Sequence, residues 1–433
     1  MIDEPGPWGT GPFTLTEGFS SITTRTVITN RSPFSATNLI ESEQRSPRLV
    51  LTANLDHWNR RDRGPRVEKA VFRNDLDPAT ALDLCLSTDG EVDIVTEVSP
   101  ADAARVEASE RARLVVADAN RVLVGIVNRN ATDVPLGDRR VRQALNHAVD
   151  NARVVEQGLH GYASVIPALT PPWCSGFDAT APGYAHDPDR ALELLGDAWP
   201  AGRALRLAAP EAFGGVADLV ADDLRAALGV EVEVLVVPDA DMPVGSRMLV
   251  EHVLDVPWDV LVFGWFDLSS EAPPAAVHRE FFGLDGAFRA GPPDPGFDAL
   301  YDEMKVQVDG DRLVEVATRI DRYVHDEALA LFLCAPQALY AVNRHVSFGP
   351  YRTTFEIAEV TVDEGHWSRR DGGAGAPTGG QTVIGDGSPA AGTAVPGYGA
   401  SGAGDTSGGG SGDAPGERPR GKPGFSGAAG NAC

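Results

Sequence analysis

Hydrophobic and polar positions alternate over the first seventy residues. Phe13-Thr14-Leu15-Thr16, Thr26-Val27-Ile28-Thr29, Leu49-Val50-Leu51-Thr52 and Val67-Glu68-Lys69-Ala70-Val71-Phe72 are rich in β-branched residues, with Gly and Pro between the runs, which predicts four strands. The period then changes. Asp77-Pro78 places an N-cap and a first-turn proline ahead of Leu82 and Leu86, which predicts a helix running to Gly90. Val92-Asp93-Ile94-Val95 reads as a short strand, Pro100 opens another helix, and Leu114–Val116 and Val122–Val127 are strands again. Strands alternating with helices predict an α/β arrangement.

From Asp138 onward helical spacing dominates. Val141, Leu145 and Ala148 share a face, Asp187-Pro188 repeats the capping signal before Ala191–Leu195, and Val216 to Leu228 is an amphipathic run ending at Gly229. Val230–Val237 and Trp258–Phe263 read as strands. After the Pro- and Gly-rich loop Gly291–Gly296, Phe297–Val308 and Leu313–Asp326 have helical periodicity, and Ala328–Leu333 is an apolar strand. Composition changes after Arg370. Residues 371–433 are mostly Gly, Ala, Ser, Pro and Thr, so a disordered tail that adds nothing to the fold is expected.

Charge and motifs narrow the chemistry. With 37 basic and 62 acidic side chains the net charge is −25, which argues against nucleic acid and anionic lipid as partners. No run approaches the roughly 20 apolar residues of a membrane span. Met1-Ile2-Asp3-Glu4-Pro5 has neither the charged nor the apolar region of a signal peptide, so the residues as written do not predict export. Cys85, Cys174, Cys334 and Cys433 form no CxxC pair, and Cys85 and Cys334 fall in apolar patterns typical of inert buried thiols. There is no GxSxG, HExxH or Walker motif, and the nine His residues lack ligand spacing, so neither an enzyme, a metal nor a cofactor is expected. Gly397-Tyr398-Gly399-Ala400-Ser401-Gly402 matches GxGxxG without a flanking strand and helix, and glycine abundance accounts for it.

Several segments carry a resemblance through their order. They are Gly9-Thr10-Gly11-Pro12-Phe13, Asn54-Leu55-Asp56-His57-Trp58, Val71-Phe72-Arg73, Asp77-Pro78-Ala79-Thr80 with Gly90-Glu91-Val92-Asp93-Ile94, and then Asn128 with Asp138-Arg139-Arg140-Val141-Arg142-Gln143-Ala144-Leu145. Asp187–Leu195 and Trp258–Trp265 follow. In this order they resemble the family 5 solute-binding proteins that feed dipeptides, oligopeptides, nickel chelates and related solutes to ABC importers, and the resemblance covers residues 9 to about 370. It implies an α/β, two-lobed, periplasmic-binding-protein-like fold of type II, in a periplasmic or extracytoplasmic protein. A small peptide or organic solute would be enclosed between the lobes, and the partners would be ABC permease subunits in the membrane. The chain is similar to a member without its opening segment, so unpaired sheet edges and exposed core are expected in lobe I. The implied division is lobe I over residues 1–125, lobe II over 126–342, a return segment over 343–370 and the tail over 371–433. The crossings are placed near Val122–Asn130 and Leu339–Val346. A non-transporting remnant or interaction protein of the same fold is the alternative reading.

The candidate ligand-facing segment is Gly264-Trp265-Phe266-Asp267-Leu268-Ser269-Ser270, in which Trp265, Phe266, Asp267 and Ser269 are the proposed contacts. Two rings and a carboxylate at a strand end suit an apolar solute bearing an ammonium. In peptide-binding relatives an Asp shortly after the Gly-Trp pair binds the ligand's α-ammonium. Asp267 lies one position earlier, and the usual proline is displaced to Pro273. The competing reading makes Trp265 core and Asp267 a turn cap. Trp173 is placed by the resemblance near the cleft mouth or in ordinary loop packing. Asn128 offers an amide either to ligand or to hinge backbone. Arg139, Arg140 and Arg142 read as a solvated helix face with an interlobe salt bridge.

Overall fold

The alternating and continuous apolar runs build two separate sheets. The computed structural model describes residues 9–29, 36–238, 256–266, 275–286, 288–351, 354–370 and 381–385. In chain order the strands are β1 (Phe13–Glu17), β2 (Ser20–Thr29), β3 (Ala36–Arg45), β4 (Arg48–Ala53), β5 (Lys69–Arg73), β6 (Ile94–Val95), β7 (Ala112–Ala117), β8 (Arg121–Val127) and β9 (Ala163–Val165). They continue with β10 (Leu205–Pro210), β11 (Val232–Val237), β12 (Val260–Phe266), β13 (Ala330–Pro336), β14 (Ala338–Asn343), β15 (Val346–Ser347), β16 (Pro350–Tyr351), β17 (Thr354–Phe355), β18 (Thr361–Val362) and β19 (Gln381–Gly385). One sheet has the order β1-β4-β5-β19-β6-β14-β7 and the other β11-β10-β12-β8-β13-β9; β2 and β3 pair as a separate ribbon.

The second sheet, lobe II, is covered on both faces. Along β8, Val122, Val124 and Ile126 join the core beneath helices Pro295–Met304 and Gly310–Asp326, while Leu123 and Val127 join the core beneath helices Arg139–Ala148, Pro188–Leu195 and Gly214–Leu228. A strand buried on both faces reads as one continuous apolar run, as Val122–Val127 does. Gly125 has no room for a side chain: a Cβ there would lie 2.7 Å from Val260 Cγ1 and 2.9 Å from Leu331 Cβ. The helix starts follow the sequence signals. The carboxylates of Asp77, Asp187 and Asp294 accept first-turn backbone N–H groups, each with a proline following, and Gly229 ends the helix Gly214–Leu228 in the left-handed region at φ 65°.

The chain passes between the sheets twice. β7 ends at Ala117 in the first sheet and β8 begins at Arg121 in the second, so the first crossing is residues 118–120; β13 ends at Pro336 and β14 begins at Ala338, so the second is Gln337. These replace the crossings expected near Val122–Asn130 and Leu339–Val346. Lobe II therefore starts before residue 126, and β14 belongs to lobe I rather than to lobe II. The cause is that β13 and β14 make one nearly continuous apolar run broken only by Gln337, and Asp118-Ala119-Asn120 reads as an ordinary turn between two strands, so neither change of sheet is marked as such.

Two further expectations are corrected in lobe I. Residues from 371 were read as a tail without a fold, yet Gln381–Gly385 forms β19, parallel to β5 over five register pairs and to β6 over two. β19 also lies between β5 and β6 and pairs with both, in a lobe where unpaired sheet edges were expected. Averaging composition over the segment hid a short β-branched run, Thr382-Val383-Ile384, set between glycines. The central strand β10 was missed for a related reason: Leu205-Arg206-Leu207-Ala208-Ala209-Pro210 is alanine-rich and weak in β propensity, and its neighbours hold it extended. The Gly-rich motif at 397–402 and Cys433 lie outside the described residues.

Candidate functional site

The two crossings and the strand ends beside them define one edge of lobe II. β12 runs antiparallel to β8, with Trp265 opposite Val122 and Phe266 opposite Arg121, so the Gly-Trp-Phe end of β12 sits at the β8 end nearest the first crossing. The carboxyl ends of the parallel strands β10 and β12 point the same way, and the chain leaving β10 returns to this edge through Phe213. Gly264 is needed for that approach, because a Cβ there would meet the Phe213 ring at 2.8 Å. Crevices outside strand carboxyl ends are where open α/β sheets take ligands.

Polar groups bridge the lobes at this edge. Arg121, at the start of β8, forms a 2.7 Å ion pair with Glu97 of lobe I, whose backbone is held at φ 58°. The Gln337 amide donates to Asp118 across the two crossings at 3.1 Å, and its backbone N–H donates to the Tyr162 carbonyl at 3.0 Å. Tyr162 in turn donates to Glu107 of lobe I at 3.4 Å, and burial together with that carboxylate raises the Tyr162 pKa above the usual phenol range. Trp173 of lobe II donates its indole N–H to the Ala119 carbonyl at 2.9 Å and packs on the lobe II core. Next to it, Cys174 Sγ lies 3.1 Å from Asn120 Oδ1. The arrangement joins the two lobes by two short covalent crossings and side-chain bonds that rotation about them can remake.

The sequence-derived candidates divide. Trp173 is at the first crossing, and the backbones of Trp265 and Phe266 end at the same edge. Asp267 and Ser269 lie outside the described residues. Asn128 follows the far end of β8, buried, and bonds backbone there, its Nδ2 3.5 Å from the Trp258 carbonyl and its Oδ1 accepting the Asn130 N–H. Seven strand residues at roughly 3.3 Å each separate it from the first crossing. Arg142 is corrected. Its guanidinium is buried and donates to the carbonyls of Leu136, Gly137, Glu327 and Ala328, while Arg139 pairs with Glu327 within lobe II. Glu97, Arg121, Asp118 and Gln337 were not legible as site residues. Arg121 directly precedes the apolar run of β8, but its partner Glu97 reaches it only through the fold.

Other buried polar groups are structural. Asp259, fully buried at the start of β12, receives Arg203, Arg206 and the Arg206 backbone N–H, which fastens β10 to β12 at the end away from the crossings. Asp93 accepts from Asn343, His366 and Trp367. His366 Nδ1 lies 2.8 Å from Ser368 Oγ and Nε2 lies 3.1 Å from Asp93 Oδ1, so the ring is held at both nitrogens. Burial pushes the Cys85 and Cys334 thiols up to about 12, far from nucleophilic range. Among the described residues no group of three or more His, Cys, Asp or Glu is placed to hold a metal, and no helix is long and apolar enough to cross a membrane.

Two α/β lobes joined by a double crossing, with strand ends and aromatic residues at the junction, are the architecture of periplasmic-type binding proteins. The sequence profile described as "Bacterial extracellular solute-binding proteins, family 5 Middle" matches residues 4–279, and the chain belongs to that family. It is 26% identical over 297 residues to "Probable di/tripeptide-binding protein 5" of Pseudomonas aeruginosa, which covers 65% of this chain and 53% of that protein. It is 25% identical over 159 residues to the dipeptide-binding protein of Escherichia coli, covering 37% and 28%. The chain thus spans about half the length, or less, of these relatives. The fold is similar to that of the ABC transporter substrate-binding protein CtaP of Listeria monocytogenes, with TM-score 0.66, 16% identity and coverage of 82% of this chain and 67% of that one. It is also similar to the periplasmic binding protein DppA of Helicobacter pylori in complex with a peptide, with TM-score 0.61, 17% identity and coverage of 82% and 63%.

Proposed function

We propose that the chain is the solute-binding component of an ABC-type importer and captures a small peptide or related organic solute between its lobes. The observation that carries this reading is the double crossing at 118–120 and 337, with Trp173 fixed on it and the Gly264–Phe266 strand end beside it. Membership of the family and the relatives named for di- and tripeptides support the solute class. In this reading Trp265 and Trp173 form apolar walls, Phe266 and Ser269 complete the lining, and Asp267 pairs with the ligand's ammonium in a low-dielectric cleft. The work is binding rather than turnover, it takes place on the extracytoplasmic side, and the bound solute is passed to membrane permease subunits.

A thermal-shift screen of di- to pentapeptides, amino acids and nickel–histidine mixtures tests it. A solute bound only by the folded state stabilises by roughly 2.7 kcal/mol at 100 times its Kd, which is visible as a raised melting temperature. Trp265→Ala is expected to abolish the shift for every ligand class, and Asp267→Asn to weaken only ligands with a free amino group. A shift unchanged by both substitutions contradicts the site. No shift from any solute contradicts the transport reading and favours an interaction protein of the same fold.

A further inference from the structure

β5 and β6 belong to one sheet but do not bond to each other. Every ladder contact on their facing sides is made to β19, five register pairs with β5 from Gln381 opposite Lys69 to Gly385 opposite Arg73, and two with β6. The strands that flank β19 are core: Ala70, Val71, Ile94 and Val95 are all buried to within 2%. Their facing backbone N–H and C=O groups find ladder partners only in β19, so a vacated slot leaves a row of unpaired groups beside the core. The slot therefore selects one kind of occupant, an extended parallel segment with full backbone hydrogen-bonding capacity. β19 is joined to the rest of lobe I by residues 371–380, ten residues of which five are glycine, after the helix Trp367–Arg370. β19 is the last described element.

From this topology we infer that the slot between β5 and β6 is an interaction surface that accepts the Gln381–Gly385 segment of a second copy of this chain, giving a strand-exchanged pair. The exchanged strand makes the same ladder in either chain, so the two states differ only in connection, which is the condition for domain swapping. A short connection holds its own strand at an effective concentration on the order of millimolar, so the strand stays in its own chain when dilute and exchanges as protein concentration approaches that range. This inference is independent of the proposed solute site, which lies on lobe II and the crossings.

Two full-length single variants, Ala70→Cys and Thr382→Cys, each carrying Cys433→Ser, test it. Ala70 and Thr382 are register partners, and the remaining natural cysteines Cys85, Cys174 and Cys334 are buried. The variants are refolded together over a series of concentrations and oxidised. A disulfide joining one chain of each kind requires the strand of one copy in the slot of the other, and its yield is expected to rise severalfold for each tenfold rise in concentration. It is expected to be absent from either variant alone. The Ala70→Cys, Thr382→Cys double variant on one chain, oxidised when dilute, is expected to form an intrachain bond. Failure of that bond overturns the register itself; an intrachain bond without any mixed interchain product at high concentration overturns the exchange.

Discussion

Asp321 is a carboxyl group in an apolar setting. It is buried in the helix Gly310–Asp326 and accepts the backbone N–H of Leu169 at 3.1 Å, and burial pushes its pKa up to about 7. The folded state thus binds this proton more tightly than the unfolded chain, whose carboxyl titrates near 4. The associated stability is complete below about pH 4 and is lost as pH rises towards 7, at up to roughly 1.4 kcal/mol per pH unit. Asp321→Asn keeps the shape and removes the proton. Urea melts of the variant are expected to lack the component of destabilisation that the parent shows between pH 5 and pH 7.5; equal pH slopes in the two proteins would contradict it. The same residue shows what sequence leaves unread. Ala317 and Val324, four residues before and three after, place Asp321 on the apolar face of its helix, but its partner Leu169 comes from a segment distant in sequence. Asn128 and Arg142 likewise take backbone partners from segments distant in sequence, which no local pattern identifies.

At the scale of elements, β8 carries the fold. It is the strand that begins at the first crossing and is packed by both lobe II cores, and its glycine is where β12 and β13 crowd closest. Gly125→Ala inserts a methyl group against Val260 and Leu331, and overpacking of this kind costs about 1–3 kcal/mol. Chemical denaturation is expected to show that loss as a lowered midpoint; an unchanged midpoint would mean the neighbouring strands part without penalty. Most elements with a strong period or a capping signal were legible, among them the helices after Asp77, Asp187 and Asp309 and the strands β1, β4, β7 and β8. Elements whose residues have weak intrinsic preference were not. β10 is extended because two parallel neighbours hold it, and β19 because two strands flank it. The site was legible only in part. The aromatic end of β12 and Trp173 stand out by composition, whereas Glu97–Arg121 and Asp118–Gln337 are pairs that exist only once the chain has crossed between lobes.

At the scale of the whole molecule, the described residues pass between the lobes at 118–120 and at Gln337, and the proposed capture of a solute requires the lobes to turn there. The bonds spanning the junction are individually weak. The Glu97–Arg121 pair is partly exposed, and pairs of that kind contribute about 0–1 kcal/mol, so a solute bound to both lobes would need only a small differential affinity to shift the balance. The most direct measurement is an interlobe distance between spin labels on Asp83→Cys, in the lobe I helix Pro78–Ser87, and Glu193→Cys, in the lobe II helix Pro188–Leu195, with Cys433→Ser. Both side chains are more than half exposed, and the three remaining cysteines are buried and unlabelled. With a saturating solute from the thermal-shift screen, the distance distribution is expected to narrow and to shorten by several ångströms. A distribution unmoved by a solute whose binding is established by the thermal shift would contradict capture between closing lobes.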